Sequence, residues 1–585
     1  MFNFYFLSFP AVVTRTLQAV LLLALVLATR LPSVAQAPAW QSARGVAMAT
    51  AAAGSNSTVA ATAVDAAGDV YLAGNFANTV VLGSTSLTSL GSYDVFVAKF
   101  TPATNQFAWA QRAGGPGYDI ATALAVNGPA VYVAGHFGSP TVGFGSTTLT
   151  NADATTGTYD AFVAKLADAG SSGGFAWAQR AGGTDTDFAT ALAVNGPAVY
   201  VAGAFGSPTA GFGSALLSNA SISYDAFVAK LTDAGPTGDF AWAQRAGGPG
   251  YDFASALAVN GSGVYVAGAF AGPTASFGST TLANAGGYDA FVAKLADAGS
   301  SGGFAWAQGA GGSGNDIARA LAIGGPAVYV AGEFGSPTAS FGATFLTNAG
   351  AGTGTADAFV GKLADAGNSG GFAWAQGAGG SGNDIARALA IGGPAMYVAG
   401  HFGSPTAGFG STTLTNADAT TGTYDAFVAK LADAGSSGGF AWAQGAGGSG
   451  NDYATALAVN GLAVYVAGDV QSPTAGFGTI PLANPNPPAP LGYLAALTDA
   501  ILTATAARPH RPPAQLFPNP ARRTATLRLP AGAAPAPLTL TDARGRTVRH
   551  CPAPAGSEAT LDLRGLPAGL YWVRGAGPAQ RLLVE

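Results

Sequence analysis

Tryptophan recurs along this chain at Trp40, Trp109, Trp177, Trp242, Trp306, Trp374 and Trp442, with steps of 69, 68, 65, 64, 68 and 68 residues. Six of the seven lie in the phrase FAWAQ, and the segments between them repeat almost word for word. A period of that size describes an array of small supersecondary units, none able to bury its apolar face alone.

One copy, residues 119 to 179, serves for all. ATALAV (121 to 126) and AVYVAGHF (130 to 137) are β-rich runs separated by Asn127-Gly128-Pro129, and the Asn-Gly pair predicts a hairpin turn with positive φ. FGSTTLT (144 to 150) adds a short strand, and DAFVAKL (160 to 166) pairs with FAWAQ (175 to 179). Both faces of AVYVAGHF are apolar or small, as in a strand buried between neighbouring sheets. Only 9% of residues are charged and 86 are glycine, which fits many short strands joined by tight turns. The one cysteine, Cys551, leaves no intramolecular disulfide, so packing must supply the stability.

Four main strands per unit and seven units predict an all-β fold, a seven-bladed β-propeller. The ends of the array support closure. The VYVAG strand occurs seven times and the FVAKL strand six, with a degraded seventh starting at Gly492 that no FAWAQ follows. Ala39-Trp40-Gln41 precedes the first complete unit, so an N-terminal strand would complete the last blade and leave no bare edge. An open solenoid, the alternative, gives no reason for this complementary deficit. The four phrases in order, over about residues 38 to 500, resemble the β-propeller repeats called SBBP. That resemblance implies the fold and says little about activity.

The chain opens with Arg15 and the apolar run LQAVLLLALVLA (17 to 28), too short to span a bilayer and followed by small residues. This predicts a secretory signal peptide over residues 1–37, cleaved after Ala37 or, to spare a proline at the new terminus, after Ala35. No later stretch predicts a transmembrane segment in the mature chain. Residues 38–505 carry 12 Lys+Arg against 26 Asp+Glu, which argues against nucleic acid as a partner.

A proline-rich linker, 506–515, leads to a basic module, 516–585, whose short alternating strands predict a small Ig-like β-sandwich. Its motifs are Pro518-Asn519-Pro520, Asp542 with Gly545-Arg546, Leu566-Pro567-Ala568-Gly569-Leu570-Tyr571 and Leu582-Leu583-Val584. They resemble the type A C-terminal sorting domain of type IX secretion. The resemblance implies delivery across the outer membrane by the type IX export machinery, to the cell surface or beyond it.

Two aspartates recur in the repeats: Asp119, Asp187, Asp252, Asp316, Asp384 and Asp452, and Asp94, Asp160, Asp225, Asp289, Asp357 and Asp425, the second set five residues before a lysine. A catalytic site needs one asymmetric cluster, so groups present in nearly every unit read as turn caps. Calcium is the one cofactor these turns allow, although no EF-hand-type run occurs. The residue after the VYVAG glycine varies instead: Asn75, His136, Ala204, Ala269, Glu333, His401 and Asp469. Its five polar members are contiguous once a ring closes, and they are the candidate ligand-binding residues, forming a polar arc. Drift at a tolerant position is the alternative. Gly309 and Gly377 replace the arginine that earlier copies have after FAWAQ, and Arg319 and Arg387 replace the Thr or Ser of other copies.

No nucleophile elbow, H-E-x-x-H or phosphate loop occurs, so no catalytic residue is assigned. The sequence therefore reads as a secreted or surface propeller that binds glycan or protein. A glycan-active hydrolase or lyase, and a passive surface component, are the alternatives.

Overall fold

The computed structural model describes residues 37–48, 55–155, 157–219, 221–420, 422–499, 515–528, 537–553, 558–575 and 577–585. Most of the expected signal peptide and of the proline-rich linker lies outside them. Contacts divide the chain into Met1–Ala500 and Ile501–Glu585. Every regular element among the described residues is a strand, and the sheets are small and antiparallel.

The described residues of the first unit form seven four-stranded sheets. Sheets 1 to 7 begin at Asn56, Asp119, Asp187, Asp252, Asp316, Asp384 and Asp452. Sheet 2 is typical, its strands Asp119–Asn127, Ala130–Phe137, Asp160–Asp168 and Gly173–Ala181 lying side by side in chain order. In its second strand only Ala130 and His136 are not fully buried, as expected of a strand covered on both faces. The turn into that strand differs from expectation. Gly128 alone has positive φ, at 60°, and it forms the turn with Pro129. Asn127 stays in the strand and donates to Gly196 O of sheet 3 at 2.8 Å. FGSTTLT also differs: Thr141–Phe144 and Thr147–Thr150 form a separate two-stranded sheet.

Each first strand lies against the first strand of the next sheet, and that of sheet 7 lies against that of sheet 1. A β-bulge prepares this contact. Thr122 is the extra residue in sheet 2, and its hydroxyl reaches Ala189 O of sheet 3 at 2.8 Å; Thr455 of sheet 7 reaches Val59 O of sheet 1 at 2.5 Å.

A carboxylate latch joins consecutive sheets. Asp233, at the end of the third strand of sheet 3, accepts from Tyr132 Oη at 2.6 Å, Lys165 Nζ at 2.6 Å and Trp177 Nε1 at 3.1 Å, all from sheet 2. Asp168, Asp297, Asp365 and Asp433 receive the same three donor types, and Asp499 receives Tyr397 and Lys430. This explains the recurring lysine and tryptophan.

Sheet 7 takes its outer strand from the N-terminus: Trp40–Gly45 pairs antiparallel with Leu491–Thr498. The register is not that of FAWAQ. Trp40 stands opposite Leu497, as Phe175 stands opposite Leu166, and packs edge-on to Phe477 at 5.3 Å as Phe175 does to Phe144. Ser42 takes the tryptophan position, Ala496 the lysine position and Pro102 that of the latch aspartate, so the latch is missing between sheets 7 and 1. Arg44 replaces it, bonding the side chain and backbone of Asn105 and lying 4.4 Å over the Phe100 ring.

The second unit has a three-stranded and a four-stranded sheet whose apolar residues, among them Leu527, Leu561, Leu540 and Val573, form one core. Asn519 clasps the last strand, donating to Arg581 O at 2.7 Å and accepting from Leu583 N at 2.9 Å. Gly545, at φ 80°, closes a turn whose Asp542 accepts from Arg544 N and Arg546 N. Tyr571 donates back to Pro567 O at 2.8 Å. The sorting-motif residues Pro518, Asn519, Pro520, Gly545 and Gly569 thus lie at turns and strand ends of this unit, and Tyr571 lies within a strand, opposite Asp542 and Leu582.

Candidate functional site

The first and third strands of each sheet start at one common end, where the second strand finishes. The recurring aspartates cap this end. Asp119 accepts from Gly115 N at 2.7 Å and Ser139 Oγ at 2.7 Å, and Asp94 accepts from Leu90 N at 3.0 Å. Burial outweighs these bonds and raises several of the first set, Asp187 to about 6 and Asp252 and Asp384 to about 7.

The variable position lies at the same end. The residue before it must be glycine, because a Cβ on Gly135 would stand 1.9 Å from Ile120 O beside the bulge. Asn75, Glu333, His401 and Asp469 are buried and His136 is half-buried. Asn75 bonds the backbone of Ala121 in sheet 2 at both N, 2.7 Å, and O, 3.3 Å. His136 sits edge-on between Tyr159 and Phe188, each 5.3 Å away, and burial pushes its pKa down to about 4.

The other three come together around two arginines that replace the bulge threonines of sheets 5 and 6. Arg319 Nε is 3.0 Å from both carboxylate oxygens of Glu333. Arg387 interacts electrostatically with Arg319, Glu333, Tyr453 and Asp469, and burial followed by Arg319 lowers its pKa. His401 stands edge-on to Tyr424 at 5.0 Å and Tyr453 at 4.9 Å; burial, then Arg387 and Arg319, keep it neutral. Burial raises Asp469 to about 7. Glu333, His401 and Asp469 thus join Arg319 and Arg387, while Asn75 and His136 serve contacts elsewhere.

A second feature at this end escaped the sequence reading. Aromatic rings follow one another in a row: Tyr93–Tyr118 at 5.0 Å, Tyr118–Tyr159 at 6.3 Å, then His136, then Phe188–Tyr224 at 5.5 Å, nearly parallel. Tyr224–Tyr251 at 4.7 Å and Tyr251–Tyr288 at 6.3 Å continue it. Tyr118 is exposed and the others are half-buried. Its signal was the dipeptide Tyr-Asp, which occurs seven times. The aspartate is drawn in as a cap, which leaves the preceding tyrosine at the mouth.

No three His, Cys, Asp or Glu side chains gather as metal ligands among the described residues, and no helix there is long and apolar enough to cross a membrane. No curated protein matches the chain. The solved structure of Sqt1 from Chaetomium thermophilum is similar at 9% identity, covering 65% of this chain and 97% of that one, with a TM-score of 0.29. The extracellular domain of a putative one component system from B. thetaiotaomicron is similar at 8% identity, covering 93% and 99%, with a TM-score of 0.11. Residues 515–581 match the family described as the secretion system C-terminal sorting domain. The chain therefore ends in a type IX sorting domain, which marks a secreted or outer-membrane surface protein that engages the type IX export machinery.

Proposed function

We propose that the seven sheets of residues 38–505 are the blades of a closed β-propeller of SBBP type, released or displayed at the cell surface, which binds polysaccharide at the end bearing the aromatic row. The succession of first-strand contacts, returning from sheet 7 to sheet 1, supports the closed reading. The sorting domain, 516–585, serves as the address and folds as a small sandwich.

The row of half-exposed rings carries the binding reading. A sugar ring offers an apolar C–H face and a rim of hydroxyls. Tyrosine matches both, with a flat ring and a polar tip, and loses little conformational entropy when it is covered. A linear series of such rings suits a polymer. Glu333, His401 and Asp469 are buried beneath the half-buried Arg319 and Arg387, so this cluster stiffens the neighbouring wall. A panel of surface polysaccharides, titrated against the mature chain, tests this reading. Tyr118→Ala and Tyr251→Ala should each weaken binding by about 1–2 kcal/mol. Binding unchanged in both variants would remove the row from consideration, and release of products would favour a glycan-active enzyme.

A further inference from the structure

The outer strands at this same end hold a second feature, independent of the aromatic row. In sheets 1, 2 and 3 the fourth strand carries Arg112, Arg180 and Arg245 opposite Phe96, Phe162 and Phe227 of the third. Each guanidinium reaches the carboxylate that opens the third strand: Asp94 at 2.6 Å, Asp160 at 2.7 Å and Asp225 at 2.8 Å. The carboxylates are 0–1% exposed, but the arginine side chains keep 29%, 34% and 33% of their surface. The arginine is a lid with its back to solvent.

Sheets 4, 5 and 6 keep the carboxylate as Asp289, Asp357 and Asp425 but place Gly309, Gly377 and Gly445 where the arginine belongs. Sheet 7 shows what balanced loss looks like. There Leu491 takes the aspartate position and Gly45 the arginine position, and a Cβ on Gly45 would meet Leu491 Cδ2 at 3.1 Å. A buried pair can be exchanged for apolar packing, whereas removing only one partner leaves an uncompensated charge. Sheets 4 to 6 are in the second condition.

The vacated place in sheet 5 is an open cleft of about 320 Å³, lined by Asp357, Gly377, Gly379 and Gly408, with exposed Phe345 on its rim. One oxygen of each aspartate is still held by a backbone N–H, from Ala285 at 2.8 Å and from Ala349 and Ala417 at 2.7 Å. The arginines of sheets 1 and 2 bind this same backbone-held oxygen, so in sheets 4 to 6 it lacks its second donor, while the other oxygen has no hydrogen-bond partner here, as at Asp94 and Asp160.

We propose that the sockets at Asp289, Asp357 and Asp425 receive guanidinium groups from outside the chain, supplied by arginine side chains of a protein partner. Sheets 1 to 3 show the occupied form. Guanidinium suits the site because its planar fork meets a carboxylate with directed hydrogen bonds, which an ammonium does not reproduce. Among the described residues no third ligating side chain gathers there to favour a metal ion. The carboxylates that face the sockets from the next sheet are Asp316, Asp384 and Asp452, and Asp418 also acts on Asp425; they add negative charge. Burial raises the three socket carboxyls to about 6, so each charge is complete only well above that pH and is lost well below it.

The test uses the mature full-length chain, titrated calorimetrically with acetyl-argininamide, acetyl-lysinamide, calcium and a glycine-spaced triarginine peptide at pH 8 and pH 5. Argininamide should bind better than lysinamide at pH 8 and lose binding at pH 5. The triple variant Gly309→Arg, Gly377→Arg, Gly445→Arg should not bind it and should melt at a higher temperature. The glycines have room for a side chain, since the atoms nearest to a Cβ added at each would stand 3.7–3.9 Å away. If the triple variant does not fold, Gly377→Arg alone should remove one site of three. The peptide should bind at least about tenfold more tightly than the amide through multivalency. Equal response of wild type and variants, no response, or a response to calcium alone overturns the sockets. Equal affinity of peptide and amide overturns the protein source.

Discussion

Asp233→Ala removes at one stroke the acceptor of three side chains on the neighbouring sheet. Tyr132 Oη and Lys165 Nζ each lose a 2.6 Å bond, Trp177 Nε1 loses one of 3.1 Å, and Gly235 N within sheet 3 loses one of 2.9 Å. Lys165 is the costly member, since its side chain is only 12% exposed. Breaking a buried ion pair by deleting one partner costs about 3–5 kcal/mol. Stranding a neutral donor adds about 1–3 kcal/mol. These terms do not add in full, because Lys165 also reaches Gly235 O at 3.2 Å and can turn towards water. A loss of about 4 kcal/mol is therefore expected, with Asp233→Asn, which keeps an acceptor, at about half of that. Contacts between repeats are local, so global melting is a poor readout. Hydrogen exchange followed by mass spectrometry on peptides from sheets 2 and 3 is the better assay. Protection there should fall by about a thousandfold at each 4 kcal/mol lost, with distant sheets little changed. A fall of less than about fivefold would refute the latch as a main bond between sheets. The pH dependence adds a check. Burial raises the Asp233 carboxyl, but its bonds to Lys165, Tyr132, Gly235 N and Trp177 outweigh that and leave it lowered. Its stabilisation is thus complete above the unfolded value of about 3.9 and is lost as pH falls through the folded value.

Trp40→Ala should cost about 3–5 kcal/mol and loosen the outer strand of sheet 7, read as faster proteolysis before residue 46 than in wild type. The buried caps act with the opposite sign to the latches: with Asp252 and Asp384 at about 7, the folded chain retains protons that the unfolded chain releases. Their contribution to stability should therefore decline as pH rises from about 4 to about 7, and Asp384→Asn should flatten that part of the denaturation profile. Glu333→Gln should destabilise by about 3 kcal/mol by leaving Arg319 uncompensated, and adding Arg319→Thr, the residue of other copies, should recover most of the loss in urea titrations.

The repeat, its strands and the N-terminal segment that fits sheet 7 were legible in the sequence, because they rest on local patterns: alternation, glycine turns and a count of phrases. The recurring aspartates were legible as caps for the same reason, since their partners Gly115 and Ser139 belong to the same unit. The register of Trp40 was not. Pairing across an edge is chosen by which apolar side chain fills the space beside Phe477, and Trp40 fills it as a phenylalanine does elsewhere. The latch was hidden too, because Asp233 lies 101 residues from Tyr132 and 68 from Lys165, and its role exists only once two sheets meet. The polar positions Glu333, His401 and Asp469 were visible as variation between copies, but the packing of neighbouring sheets decided that they gather about two arginines. Local periodicity dictates what each unit is. What the units do for one another depends on contacts between side chains far apart in the chain, and those arise only in three dimensions.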